Sequence, residues 1–194
     1  MPSLEHASLI RPCTGERRSG DATLVAEVDG GYLCAIVDGL GHGDRAHEAA
    51  VRAVEFLRSA ASESVVELLL KLDGQLRGSV GAAAGIAHVD LPSGRLHYSG
   101  IGNTVIRRFG SIETRLVSRG GVLGSQMRTP KEEALTLCGG DVVLMYTDGI
   151  SDRVSSVTYP EILGHGIDVV AGHVVRTFGK THDDAGCIAL RYRA

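Results

Sequence analysis

Short apolar runs ended by glycine or aspartate dominate the chain, and two longer stretches have helical spacing. Residues 22–28 and 31–37 read as a β-hairpin turned by Asp29-Gly30. In residues 44–60, Ala46, Ala49, Ala50, Ala53, Val54 and Leu57 recur at helical intervals, with Arg45, Glu48, Arg52 and Glu55 on other faces. A second helix is expected over 63–77, with Val65, Val66, Leu68, Leu69 and Leu72 as its apolar stripe and Ser62 or Ser64 as its cap. The texture then changes. Residues 81–89, 94–100, 103–109 and 112–117 read as successive strands, turned at Leu91-Pro92-Ser93-Gly94 and Phe109-Gly110-Ser111. A further pair at 133–137 and 141–147 is separated by Cys138-Gly139-Gly140, a helix covers 166–178, and a last strand covers 186–192. Helices grouped together and strands in meanders predict an α+β fold of antiparallel sheets covered by helices.

Composition narrows the classes. At 194 residues, with 43% hydrophobic and 22% charged positions, the chain is expected to be one domain spanning 1–194. A net charge of −3, 4% aromatic residues and no Trp argue against nucleic-acid binding. No run approaches the roughly 18 apolar residues of a membrane span, and the N-terminus lacks the pattern of a signal peptide. Cys13, Cys34, Cys138 and Cys187 show no C-x-x-C spacing, so neither a zinc ribbon nor a redox dithiol is expected. Cys34 and Cys187 lie in apolar runs and read as buried thiols, which suits a reduced, cytoplasmic setting. No exposed apolar repeat asks for a partner copy, so a monomer is expected.

The chemistry concentrates in two corners, Asp38-Gly39-Leu40-Gly41-His42-Gly43 and Tyr146-Thr147-Asp148-Gly149. In each, an aspartate ends a very apolar strand and a glycine follows. A carboxylate at a strand end is held rigidly, and the glycine lets an ion, a water or a phosphate approach the backbone. Asp21, Asp183 and Asp184 add candidates near the two ends of the chain. Taken singly, such aspartates usually cap helices or start turns, as Asp29 and Asp90 do here. Gathered at one sheet edge, three or four carboxylates repel one another unless a cation neutralises them. All-oxygen ligation favours magnesium or manganese over zinc, and two such ions can activate a water for in-line displacement at phosphorus. The run Gly39-Leu40-Gly41-His42-Gly43 lacks the P-loop lysine and the Gly-x-Gly-x-x-Gly spacing, so nucleotide binding is a weak alternative.

Gly20-Asp21, the Asp38 corner, Leu135 through Gly140-Asp141 to Tyr146-Thr147-Asp148-Gly149-Ile150, and Asp183-Asp184 follow in order. That series resembles the PPM family of metal-dependent serine/threonine protein phosphatases, in its bacterial SpoIIE-type branch. Gly100-Ile101-Gly102-Asn103 and Gly120-Gly121-Val122-Leu123-Gly124 resemble the glycine-rich turns of that branch. The resemblance runs over roughly residues 18–193. It implies an α-β-β-α sandwich with a two-metal site at one edge, holding manganese or magnesium. Asp38 matches the bridging aspartate, Gly39 the carbonyl ligand, Asp148 the ligand on the other ion, and Asp183 the last metal aspartate. Asp184 then stands where relatives often have Asn, and Asp21 matches the aspartate near the first strand. Their shared strand-end, glycine-flanked setting makes Asp38 and Asp148 the indispensable pair for catalysis, and the resemblance implies Asp21, Asp38, Gly39, Asp148, Asp183 and Asp184 as the metal set.

Three positions depart from the pattern. Gly20 stands where many relatives carry an acidic residue, which implies a looser second ion. Glu16 stands where many carry a phosphate-binding arginine, with Arg17 or Arg18 as substitutes. Leu40 stands where some carry a histidine, and His42 is displaced. The size of the chain resembles the short feedback phosphatases of bacterial stress signalling, which implies phosphorylated stressosome scaffold proteins as partners and substrates. The alternatives are a phosphorylated anti-sigma factor antagonist as target, or a non-catalytic module that binds phosphoprotein. Residues 118–131 and 151–165 are expected to form the docking surface.

Overall fold

The computed structural model describes residues 1–61, 63–110, 112–154 and 162–194. Among the described residues, ten strands form two five-stranded antiparallel sheets. One sheet contains β2 (Asp21–Val28), β3 (Gly31–Gly39), β4 (Ala82–Asp90), β5 (Arg95–Ile101) and β8 (Glu133–Thr136), in that spatial order. The other runs β1 (Ser3–Arg11), β10 (Ala185–Arg193), β9 (Val142–Tyr146), β6 (Val105–Phe109), β7 (Thr114–Val117). Helices α1 (Asp44–Ser59) and α2 (Val65–Leu76) cover the first sheet, and α3 (Ile167–Phe178) covers the second. The expected α-β-β-α sandwich is therefore the observed one.

Three apolar layers follow from that stacking. Between α1, α2 and the first sheet lie Leu24, Leu33, Ala53, Leu57, Leu68, Leu72 and Ile86. Between the sheets lie Cys34, Ile36, Val89, Tyr98, Ile106, Met145, Ile188 and Leu190. Beneath α3 lie Val142, Leu144, Tyr146, Val170, Val174, Cys187 and Ala189. Alternate residues of one strand thus serve two layers: Leu33, Ala35 and Val37 face the helices while Cys34 and Ile36 face the other sheet. This explains why β3 reads as a continuous apolar run.

Local chemistry fixes the helices. The buried stripe of α1 is almost all alanine (Ala46, Ala49, Ala50, Ala53, then Leu57), so the helix lies very close to the sheet. At Gly39 a Cβ would come within 2.2 Å of the Ala46 carbonyl oxygen, so only glycine fits beneath the first turn of α1. Helix α2 is started by a capping box: the Ser64 hydroxyl accepts from the Glu67 N–H at 3.3 Å, and the Glu67 carboxylate accepts from the Ser64 N–H at 3.2 Å. Ser64 is the cap of the two serines considered; Ser62 lies outside the described residues, as does Ser111 of the turn after Phe109.

The structure differs from the sequence reading in two places. Residues 3–11 form a strand, β1, paired along its whole length with β10, where no element was expected. It is an edge strand, and only Leu4 of its nine residues is buried, so no clean alternation marks it. The strands on either side of Cys138-Gly139-Gly140 do not pair: β8 joins the first sheet beside β5, and β9 joins the second between β10 and β6. Within 118–131, Leu123 is fully buried, bridges Ala82 and packs into the α1–α2 layer, while most of the segment stays at least partly exposed. Of the other expected docking segment, 155–161 lie outside the described residues.

Replacing Ser64 by Ala removes the box from α2. Stability should fall by about 1 kcal/mol in chemical denaturation, with activity per folded molecule unchanged.

Candidate metal centre

The two corners meet at one end of the sandwich. Asp21 opens β2 and stands directly across the ladder from Asp38 near the end of β3. Asp148 follows β9 after Thr147, and Asp183-Asp184 lead into β10, the strand beside β9. The hydroxyl of Thr147 donates to Asp21 Oδ2 at 2.7 Å and accepts from the Gly186 N–H at 3.0 Å. That buried hydroxyl joins the two sheets at the rim. Gly149 allows the Asp148 corner to close, since a Cβ there would lie 1.7 Å from the Asp184 carbonyl oxygen.

The five aspartates have different surroundings. Asp184 is buried, and its two oxygens accept from the N–H groups of Cys13 and Gly20, each at 2.9 Å. It fastens the 12–20 loop to the rim. Asp183 is half-buried and accepts from the Asp184 N–H at 3.0 Å. Asp148 is exposed, and its backbone carbonyl accepts from Lys180 Nζ at 2.5 Å. Asp21 is buried, and its Oδ1 has no hydrogen-bond partner among the described residues. The side chain of Asn103 acts on Asp38 in the opposite direction to its acidic neighbours, favouring the charged form.

Crowding shows in the acidities. Burial, then repulsion from Asp148, Asp183 and Asp184, pushes the Asp38 carboxyl up to about 7 against the pull of Asn103. Asp21 is raised well above the usual carboxylate range by burial and then by Asp38. Asp183 is raised by burial and then by Asp148, with Lys180 acting in the opposite direction. A rim of oxygen donors that resist ionising together, with one buried carboxylate oxygen lacking any donor, fits a hard divalent cation. Among the described residues, no three Asp, Glu, His or Cys side chains stand close enough to enclose an ion by themselves. The arrangement suits magnesium or manganese, which take one or two carboxylates and keep much of their water.

The sequence reading missed Asn103 and Lys180. Asn103 was visible only as the end of a glycine-rich turn, and Lys180 as one lysine after a helix. The departures also acquire physical content. A Cβ at Gly20 would meet Ala46 Cβ at 2.9 Å and Asp184 Oδ2 at 3.0 Å, so a longer acidic side chain has no room there. The carboxylate of Glu16 is engaged with His42 Nδ1 at 2.7 Å. Cys34 and Cys187 are buried as expected, and burial pushes both thiols up to about 12.

The raised pKa of Asp38 fixes a sign. A carboxyl whose folded value lies above its ordinary 3.8 holds its proton more tightly when folded. Its contribution to stability is complete below that ordinary value and is lost as pH rises through about 7. In EDTA, Asp38→Asn should therefore become progressively more stable than the unsubstituted protein between pH 5 and pH 8, as read by thermal melts. A difference that stays flat with pH would contradict the crowding. Divalent metal should bind more tightly over the same rise, as the competing proton leaves.

Comparison with known proteins agrees with this geometry. The family model for stage II sporulation protein E (SpoIIE) matches residues 28–193. The phosphoserine phosphatase RsbX of Bacillus subtilis (strain 168) is 23% identical over 139 residues, covering 71% of this chain and 70% of that protein. A solved structure from work on the bacterial stressosome as a modular system controlling secondary messenger signalling superposes with a TM-score of 0.91. It is 26% identical and covers 97% of this chain and 100% of its own. A crystal structure of RsbX in complex with magnesium superposes with a TM-score of 0.80 at 20% identity, over 99% of this chain and 100% of that one. The ordered aspartate corners, the double sheet and the match over most of its length place the chain in the SpoIIE family, as a phosphatase domain of the PP2C fold.

Proposed function

We propose that this protein phosphatase hydrolyses phosphoserine and phosphothreonine on stressosome scaffold proteins, using two manganese or magnesium ions held at the aspartate rim. The observation that carries the chemistry is the meeting of Asp38, Asp148 and Asp183 at one end of the sandwich, where burial and then repulsion from its neighbours raise the pKa of Asp38. The target is supported by the similarity to RsbX, named a phosphoserine phosphatase, and to a structure from the stressosome system. A single-domain, monomeric, cytoplasmic enzyme spanning 1–194 is part of the same reading. Its four cysteines are free, and among the described residues no helix is long and apolar enough to cross a membrane.

Roles follow from the surroundings of each residue. Asp38, the Gly39 carbonyl, Asp148 and Asp183 hold the metal. Of the adjacent aspartates, Asp183 is the ligand, because both oxygens of Asp184 already serve backbone N–H groups. Asp21 is the least direct member: it pairs with Asp38 across the β2–β3 ladder and engages Thr147, and its buried Oδ1 has no hydrogen-bond partner among the described residues. Divalent ions bound there would neutralise phosphoryl charge and lower the pKa of a water. The protein supplies the fixed carboxylates, with Asn103 favouring the charged form of Asp38. With Gly20 hemmed in by Ala46 and Asp184, the second ion has fewer protein ligands and binds more weakly than the first. Every expected metal aspartate is present, which separates the chain from a module that binds phosphoprotein without cleaving it.

Purified phosphorylated scaffold protein, incubated with the enzyme and manganese, should lose its phosphate. Asp38→Asn or Asp148→Asn should lower that rate, and hydrolysis of an aryl phosphate, by orders of magnitude with the fold intact by circular dichroism. Near-normal turnover of either variant in saturating manganese would refute the assignment. Hydrolysis of aryl phosphate without action on the scaffold would refute the target.

A further inference from the structure

A phosphate monoester approaching this rim meets carboxylates on nearly every side. Asp21, Asp38, Asp148, Asp183 and Asp184 gather there, and Glu16 on the neighbouring loop adds another, turned to His42 at 2.7 Å. Arg18 is directed to Asp44 at 3.8 Å, and both are exposed. Among the described residues, a cation reaches the rim from the other side. Lys180 sits in the turn between α3 and β10, with its backbone fixed from several directions. Its N–H donates to the Gly149 carbonyl at 2.8 Å, and its carbonyl accepts from Arg11 Nη2 at 2.6 Å and from the Asp183 N–H at 3.4 Å. Its ammonium lies across the Asp148 corner, donating to that backbone carbonyl at 2.5 Å and drawing the Asp183 carboxyl down.

An ammonium has three donors, and the Asp148 carbonyl takes one. Lys180 also lines a cleft of about 500 Å³ that begins at Asp148 and Asn103. Val105, Val117 and Tyr146 supply apolar wall, and Arg115 lies further along, paired with Asp152 at 3.2 Å. The cleft thus has a cation and a side-chain amide at the end that touches the metal rim, and apolar surface beyond it. A phosphorylated side chain with its flanking residues has that same polarity.

We propose that Lys180 binds the phosphoryl oxygens of the substrate at the mouth of this cleft, the cleft itself seating the residues beside the phosphoserine. This rests on the phosphatase reading above and names the group that draws the dianion to an acidic rim. A lysine serves here as a point charge, free to turn from the Asp148 carbonyl to phosphate without leaving its anchored backbone.

Inorganic phosphate is the probe. In manganese-saturated protein, Lys180→Ala and Lys180→Gln should weaken phosphate binding by about tenfold or more, as expected for loss of a charge-assisted hydrogen bond. Calorimetry and product inhibition should agree, and KM for an aryl phosphate should rise in step. Lys180→Arg should restore most of the affinity, and the manganese concentration for half-maximal activity should change little. If Lys180 only braces Asp148, the Ala and Gln variants will instead need more manganese and bind phosphate normally once saturated, which overturns the proposal. If the unsubstituted protein binds phosphate through Lys180 but hydrolyses no ester, the phosphatase reading fails and this assignment stands.

Discussion

Like charges buried together repel one another and raise one another's pKa unless something opposes them, and this fold brings five aspartates to one rim. The arrangement is held from outside the cluster. Asp184 takes two backbone N–H groups from the 12–20 loop, and the Thr147 hydroxyl ties Asp21 to Gly186 across the two sheets. Those neutral donors fix the positions, while Asp38 and Asp183 remain short of compensation. The rim is therefore rigid but electrostatically incomplete, and the function follows from what completes it.

That rigidity depends on the packing beneath. The alanine stripe of α1 brings its first turn onto Gly39, so the Asp38 corner is clamped between a helix and β4. Gly149 lets the second corner close on the Asp184 backbone. At both corners, glycine serves close approach of backbone to backbone more than a special turn conformation. The same spaces explain why Gly20 carries no acid: the volume such a side chain would need is filled by Ala46 and Asp184.

Much of this was legible in the sequence because it is local. An apolar run ending in Asp-Gly reports a strand end whether or not its neighbours are known, so Asp38 and Asp148 stood out, as did the helical spacing of Ala46 through Leu57. What could not be read is relational. β1 is an edge strand whose few buried positions carry no period, and its pairing with β10 spans nearly the whole chain. β8 and β9 are neighbours in sequence but join different sheets, which a local pattern cannot reveal. Asp183 and Asp184 are chemically identical, and only their hydrogen bonds separate a candidate ligand from a fastener. Asn103 and Lys180 are common loop residues, and their meaning comes from what the fold places beside them.

The central claim, that the rim is a metal centre, is tested most directly by anomalous diffraction at the manganese edge from crystals soaked in that ion. The account predicts a strong peak beside Asp148 and Asp183 and a second, weaker peak beside Asp38 and the Gly39 carbonyl, where Gly20 supplies no carboxylate. A rim without anomalous density in saturating manganese, or density bound only elsewhere on the protein, would contradict it.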